Sequence, residues 1–166
     1  ECSWSEFGVD PDLSMWGKLL ANGHPISAVL GSEKARDAAS KVYVTGSFWF
    51  SAAPMAAALK TLELIQTTDY LERTIDLGHR LREGLDSISK SAGLPVSQTG
   101  PAQMPLVMFN QENGQRDIPI TYAFCEIAVE HGVYFHPFHK MFINAAMTPT
   151  DIDQILEVAD RALRSM

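Results

Sequence analysis

Turns and short apolar segments alternate over residues 8–31, whose sequence is GVDPDLSMWGKLLANGHPISAVLG. Glycine, proline and aspartate mark the turns because they suit backbone angles that strands do not use. The apolar runs between them, Leu13–Trp16 and residues 26–30, have the length of buried strands. Lys18 follows the first run directly, so we expect it at the carboxyl end of a buried strand, where open α/β sheets bind ligands.

The rest of the chain continues this mixture of short strands and amphipathic helices, which predicts an α/β fold rather than a helical bundle. A polar break at residues 66–70 indicates a boundary between two domains. Helices are predicted from Pro54, from about Leu71 to an end at Ser91-Ala92-Gly93, over residues 120–131 with Gly132 at the C-terminal end, and from Thr148 to the C-terminus. Strands are predicted at residues 42–44, Leu106–Phe109, 133–135 and 141–145.

Composition excludes several classes of protein. Hydrophobic residues make up 46% and charged residues 20%, which is typical of a globular protein and not of a disordered or fibrous one. No apolar run approaches the roughly 20 residues that a membrane span needs, and no signal-peptide pattern opens the chain. The net charge of −7 argues against nucleic-acid binding. Two cysteines, Cys2 and Cys125, favour a reducing compartment, so we expect a cytoplasmic protein.

Three groups of residues are candidates for chemistry. An amine at a strand end, as at Lys18, is suited to Schiff-base formation, although a solvated surface lysine gives the same pattern. Thr45, Gly46 and Ser47 offer hydroxyls and amides that could hold a phosphate ahead of a helix, or they form a plain turn. The third group is the segment His136-Pro137-Phe138-His139-Lys140, whose polar side chains could line a pocket.

Two further sites are weaker alternatives on residue pattern alone. His136 and His139 could bind a metal, but the proline between them disrupts helical spacing and no acidic or thiol partner follows nearby. Cys125 could pair with a histidine, but its apolar neighbours within a helix favour a buried, inert thiol.

The motif over residues 8–31 resembles the lysine segment of class III pyridoxal-phosphate-dependent aminotransferases. That family's form is roughly G-V-x-P-D-L-x-x-x-G-K followed by N/G-G-x-P-x-x-A-x-x-G, and its twelve specified positions all match at fixed spacing. Three further segments resemble the same family. Gly46-Ser47-Phe48 with Ala53-Pro54-Met55-Ala56 is similar to its G-T-F…N-P-x-A stretch, and the segments that begin at Gly132 and Thr148 are similar to its small C-terminal domain. The branch with glutamate-1-semialdehyde aminomutase is the most similar, and the resemblance covers only the C-terminal portion of a family member.

The resemblance implies a fold-type I enzyme, in which residues 1–67 end the large pyridoxal-phosphate-binding domain and residues 68–166 form the small C-terminal domain. The implied reaction is amino-group transfer or amino exchange on small amines, amino acids and oxo acids. Lys18 would hold the cofactor as an internal aldimine. Ser47, with Gly46 and Thr45, would bind the cofactor phosphate of the neighbouring subunit in a homodimer.

Residues 136–140 would then face the substrate, and Lys140, His136 and His139 are its candidate contacts. The sequence departs from the family pattern in places, and the spacing of residues 48–53 before Pro54 is a little longer than in many members. Ser47 stands where the family has threonine, and the family's aspartate for the pyridine nitrogen would lie upstream of residue 1. We therefore expect an upstream half of the enzyme, and the alternative is a non-catalytic remnant or interaction module that retains the fold.

Overall fold

The computed structural model describes Trp4, residues 7–49 and residues 51–166. The chain divides into two compact units, Glu1–Thr68 and Asp69–Met166. Each unit contains helices and one pair of antiparallel strands within its described residues, so the fold mixes helix and sheet as the sequence predicts.

The first unit contains a hairpin and two helices in its described residues. Strand β1, Leu13–Trp16, pairs with β2, Ala28–Gly31, so that Leu13 lies opposite Gly31. A short helix α1, Arg36–Ala39, follows, and helix α2 covers Ala52–Thr67. Pro54 lies in the first turn of α2, where its missing N–H removes no intrahelical hydrogen bond.

Two sequence predictions for this unit are wrong. The strand before Lys18 is not buried: Leu13 and Met15 are 61% and 84% exposed, because the pair of strands carries no covering layer among the described residues. Residues 42–44 form no strand, because no described segment pairs with them, and their three apolar side chains are exposed. The residues of this unit that the structure describes as buried are Ala21, Pro54 and Ala58.

The second unit contains the apolar core of the described chain. Helix α3 covers Tyr70–Ser91, β3 Val96–Thr99, β4 Leu106–Phe109, α4 Ile118–Glu130 and α5 Pro149–Arg164. Strands β3 and β4 are antiparallel, and α3 packs against α5. The core consists of Leu77, Leu81, Leu85, Val107, Phe109, Phe124, Ala128, Phe135, Ile143, Ile152, Ala159, Ala162 and Leu163. Of the helices in the described part of the chain, none has both the length and the apolar character that crossing a bilayer requires.

Two glycines allow close packing along α3. A Cβ at Gly78 would overlap the backbone carbonyl group of Ala102. A Cβ at Gly84 would instead overlap the terminal methyl groups of Leu156 on α5. Glycine at these positions therefore brings a loop backbone and a neighbouring helix into contact with α3, despite its lower helix propensity.

Glycine also ends helix α4. Gly132 has a φ of +87°, and the N–H of Val133 donates to the carbonyl of Ala128 at 3.0 Å. The N–H of Gly132 donates to Val129, which completes a Schellman motif. The predicted glycine at this helix end is confirmed. Residues 133–135 form no strand, and the N–H of Val133, the first residue of the predicted strand, is already used by the end of the helix.

The second predicted strand at this end of the chain is also absent. The N–H groups of Met141 and Ile143 donate to the carbonyls of Pro105 and Gln103, at 2.9 and 3.0 Å. Pro105 has no N–H to donate in return, so these one-sided bonds do not make a regular ladder. Residues 141–145 lie beside another segment, as a strand would, without forming one.

Helix α5 begins with a capping box, which the sequence Thr148-Pro149-Thr150-Asp151 predicts. The Thr148 hydroxyl accepts the Asp151 N–H at 3.3 Å, and the Thr148 N–H donates to Asp151 Oδ2 at 2.7 Å. The hydroxyl of Thr148 also donates to Oδ2, at 2.7 Å. These bonds satisfy backbone donors that the first turn of a helix leaves free.

The capping box predicts a pH dependence for the stability of α5. Hydrogen bonds from the Thr148 hydroxyl, and then from its backbone N–H, lower the pKa of Asp151. A lowered pKa means that the stabilisation is complete above the unfolded-state pKa of about 3.9 and is lost as pH falls through the folded-state value. The protection of the amides in the first turn of α5, relative to exchange in the unfolded chain, should therefore fall below about pH 4. Asp151→Asn should flatten this dependence, and an unchanged pH profile in that variant would contradict the assignment.

Candidate functional site

Lys18 lies in a strained backbone conformation immediately after β1. It is the first residue of the 3₁₀ turn Lys18–Ala21 and has a φ of +50°. A side chain other than glycine is disfavoured in this left-handed region, and such strain is concentrated at functional sites. Helix α2 packs against the turn, in which Ala21 is buried. The turn is therefore supported from one side while Lys18 itself is exposed.

The amine of Lys18 has no hydrogen-bond or ion-pair partner among the described residues. Other lysines do have such partners: Lys34 contacts Asp12 at 3.0 Å and Lys60 contacts Glu63 at 2.7 Å. An unpaired amine on a fixed backbone is available for covalent or phosphate chemistry. Its strained φ was not visible in the sequence, because a lysine before two leucines carries no signal for a left-handed residue.

Thr45, Gly46 and Ser47 lie in the same unit as Lys18, in the loop before α2. Both hydroxyl-bearing residues are exposed, and within the described chain neither side chain has a hydrogen-bond partner. A Cβ at Gly46 would overlap the indole ring of Trp49, so the loop needs glycine at that point. No hydrogen bond among the described residues joins this loop to Lys18. Trp49 is a contact that the sequence analysis missed.

His136, His139 and Lys140 line a cavity of about 460 Å³ within the second unit. The cavity wall is otherwise apolar, and His139 and Lys140 are exposed at it. Lys140 has no ion-pair partner among the residues that the structure describes. The apolar lining is Leu81, Val133, Tyr134, Phe135, Met141, Phe142, Ile143, Met147 and Ile155. Most of this lining flanks residues 136–140 in the sequence, but which of these side chains face the cavity depends on packing that the residue pattern does not show.

The ring of His136 organises the loop that lines this cavity. Its Nδ1 accepts the backbone N–H of Phe138 at 3.0 Å and that of His139 at 2.9 Å. The ring also has edge contacts with Tyr134 and with His139, at centroid distances of 6.1 and 5.4 Å. Residues 136–140 are thus held in a turn by one side chain.

The geometry supports neither a metal site at His136 and His139 nor a reactive thiol at Cys125. Within the described residues, no group of three or more His, Cys, Asp or Glu side chains is placed to hold a metal ion. Burial raises the pKa of the half-buried Cys125 thiol to about 11, so the thiol is protonated and unreactive at neutral pH. Cys125 packs beside the core rather than in the cavity.

Comparison with known proteins shows similarity over almost the whole chain. The family model for aminotransferase class-III matches residues 2–163. The chain is 52% identical over 166 residues to an aminopentol aminotransferase of Sphingopyxis macrogoltabida, covering all of this chain and 39% of that protein. It is 30% identical over 173 residues to a glutamate-1-semialdehyde 2,1-aminomutase of Desulfitobacterium hafniense, covering 96% of this chain and 40% of that one.

Solved structures show the same relationship. The PLP internal aldimine form of the FumI protein of Sphingopyxis sp. MTA144 has a TM-score of 0.92 at 53% identity, covering 99% of this chain and 39% of that chain. An omega-transaminase from Sphaerobacter thermophilus has a TM-score of 0.86 at 23% identity, covering 96% of this chain and 40% of that chain, which is a likeness of fold. The chain spans about two fifths of the length of the curated relatives it matches.

Proposed function

The chain belongs to the class-III aminotransferase family, and from this premise we propose that it forms the lysine-bearing part of a pyridoxal-phosphate-dependent amino-transfer enzyme. The observation that carries the proposal is Lys18, an exposed and unpaired amine on a left-handed backbone within the family's lysine motif. The relative of known structure with 53% identity is the PLP internal aldimine form of its protein.

The residues of the first unit fit this cofactor. Lys18 Nζ offers the free amine that covalent attachment to an aldehyde needs, and the loop from Thr45 to Ser47 offers unpaired hydroxyls for a phosphate. When bound, pyridoxal phosphate supplies an electron sink for the bond that breaks next to the transferred amine. Lys18 would hold the cofactor through Nζ, and its amine would move a proton at Nζ during the transfer.

We assign residues 1–67 to the large cofactor domain and residues 68–166 to the small domain. The division of the structure between Thr68 and Asp69 supports this assignment. The proposal places the acidic partner of the pyridine nitrogen in a segment upstream of residue 1, since the matched relatives are much longer than this chain. The complete enzyme works as a homodimer in the cytoplasm, the compartment that the low cysteine content favours.

The substrates are a small amine or amino acid and an oxo acid. We favour transfer over the mutase reaction, because the relative named as an aminotransferase is 52% identical and the one named as an aminomutase 30%. Residues 136–140 supply substrate contacts in the small domain, where Lys140 offers a positive charge at the edge of an apolar cavity. A lysine binds a carboxylate as a point charge, without the paired geometry of arginine.

The proposed function is tested on the complete polypeptide loaded with pyridoxal phosphate. We expect a visible absorbance band that borohydride abolishes, and peptide mapping should place the reduced label on Lys18. Transfer of an amino group from an amine to pyruvate should be measurable in the same preparation. Label on Lys34, Lys41, Lys60, Lys90 or Lys140 would contradict the assignment.

Ser47→Ala should weaken retention of the cofactor by roughly tenfold or more. A hydrogen bond from a hydroxyl to a charged phosphate contributes about 1.5–3 kcal/mol, and Ser47 is the exposed hydroxyl that the family motif selects. The measurement is the dissociation constant of pyridoxal phosphate in the complete dimer. Ser51→Ala is the matched control, since Ser51 is exposed and makes no side-chain capping bond to α2. Weakening by Thr45→Ala with no effect of Ser47→Ala would show that Thr45 binds the phosphate.

A further inference from the structure

The two hydrogen bonds to His136 determine where its proton lies. A ring nitrogen that accepts two backbone N–H groups carries no hydrogen itself, so Nδ1 is the unprotonated nitrogen. The ring is then neutral with its hydrogen on Nε2. A proton added at Nδ1 would face two N–H donors and break both bonds. The observed turn therefore requires an Nδ1 that carries no hydrogen.

The remaining nitrogen is a donor without a partner. No group among the described residues accepts a hydrogen bond from Nε2, and His136 belongs to the lining of the cavity. The ring contacts of Tyr134 and His139 restrict its rotation. A fixed N–H in a cavity with an apolar wall is the type of polar group that orients a ligand.

We propose that His136 has two linked roles, one in holding the loop and one in binding the substrate. Its Nδ1 holds residues 136–140 in a turn, and its Nε2–H donates a neutral hydrogen bond to a carboxylate or keto oxygen of the substrate. The positive charge of the loop then comes from Lys140 rather than from the histidine. This inference rests on the proposed function, because it takes the cavity to be part of the substrate site.

Asparagine at this position separates the two roles. Its Oδ1 is bonded to Cγ, as Nδ1 is in histidine, so His136→Asn retains the acceptor for the two backbone amides and loses the distal N–H. His136→Ala removes both. His79→Asn is the matched control, since His79 is exposed on α3 and does not line the cavity.

The experiment measures two quantities in the complete, cofactor-loaded enzyme. One is amide exchange at Phe138 and His139, and the other is kcat and KM for pyruvate as the amino acceptor. We expect His136→Ala to lower amide protection about fivefold and His136→Asn to retain it. Both variants should raise KM about fivefold, with little change in kcat and with the cofactor absorbance intact. His79→Asn should change neither quantity.

Each part of the inference has its own contradicting result. A wild-type KM in His136→Asn would overturn the donor role of Nε2, and unchanged amide protection in His136→Ala would overturn the role of Nδ1. If the parent enzyme shows no cofactor absorbance and no amino transfer, the proposed function fails, and the donor role fails with it. Amide exchange still decides the role of Nδ1 in that case.

Discussion

We expect Lys18→Ala to lower kcat for the proposed amino transfer by about 10²–10⁴-fold in the complete enzyme, because no other group would replace its amine as the carrier of the proton. The variant should also lose the amine to which borohydride reduction fixes the cofactor. Peptide mapping would then find no label at position 18. Lys41→Ala is the matched control: Lys41 is also exposed in the first unit and also has no ion-pair partner among the described residues. Equal losses in the two variants would contradict the role of Lys18.

The φ of Lys18 provides a second control, which separates inactivity from unfolding. A left-handed conformation costs a residue with a Cβ about 1–2 kcal/mol, and glycine adopts it without this cost. Lys18→Gly should therefore be inactive and yet unfold at the same temperature as the parent or higher. Lys18→Ala retains the strain. A lower melting temperature for Lys18→Gly than for Lys18→Ala would show that the backbone is not strained at this position.

Phe124→Ala has the largest expected effect on stability, a loss of about 3–5 kcal/mol in the free energy of unfolding. The ring of Phe124 is 2% exposed and contacts the rings of Phe109 and Phe135, at centroid distances of 5.3 and 5.0 Å. Removing it leaves a cavity beside the rings of Phe109 and Phe135. Urea unfolding at constant m-value measures the loss.

The control for this substitution lies on the same helix. Val129→Ala removes an apolar side chain that is half exposed on α4, so we expect a change of less than about 1 kcal/mol. Phe124→Leu retains most of the buried volume and should lose less stability than Phe124→Ala. Similar losses for Val129→Ala and Phe124→Ala would contradict the location of the core.

The sequence predicts best those features that depend on a few neighbouring residues. Thr148 and Asp151 form the predicted capping box, and Gly132 ends α4 in the predicted position, because both motifs are closed within one turn of chain. Strand β1 also has its predicted bounds, Leu13–Trp16. The family is confirmed as well, since its motif is a fixed spacing of residue types.

Features that depend on distant partners were not predictable in this way. An apolar run becomes a strand only beside a segment that exchanges hydrogen bonds with it, and Pro105 prevents that exchange for residues 141–145. Strand β3 was missed because its sequence, VSQT, has a single strongly apolar residue. For the candidate site, the motif selects Lys18 and Ser47, but the cavity beside Lys140 depends on packing. The cofactor and substrate roles of these residues stay predictions.

The close contacts of helix α3 have a consequence for how this family changes during evolution. Gly84 meets the methyl groups of a flexible side chain, so alanine at position 84 becomes acceptable if Leu156 becomes smaller at the same time. We therefore expect positions 84 and 156 to covary among relatives. A Cβ at position 78 would instead overlap backbone atoms of Ala102, and no substitution at position 102 removes backbone atoms. Position 78 should stay glycine in every relative that keeps this loop against the helix.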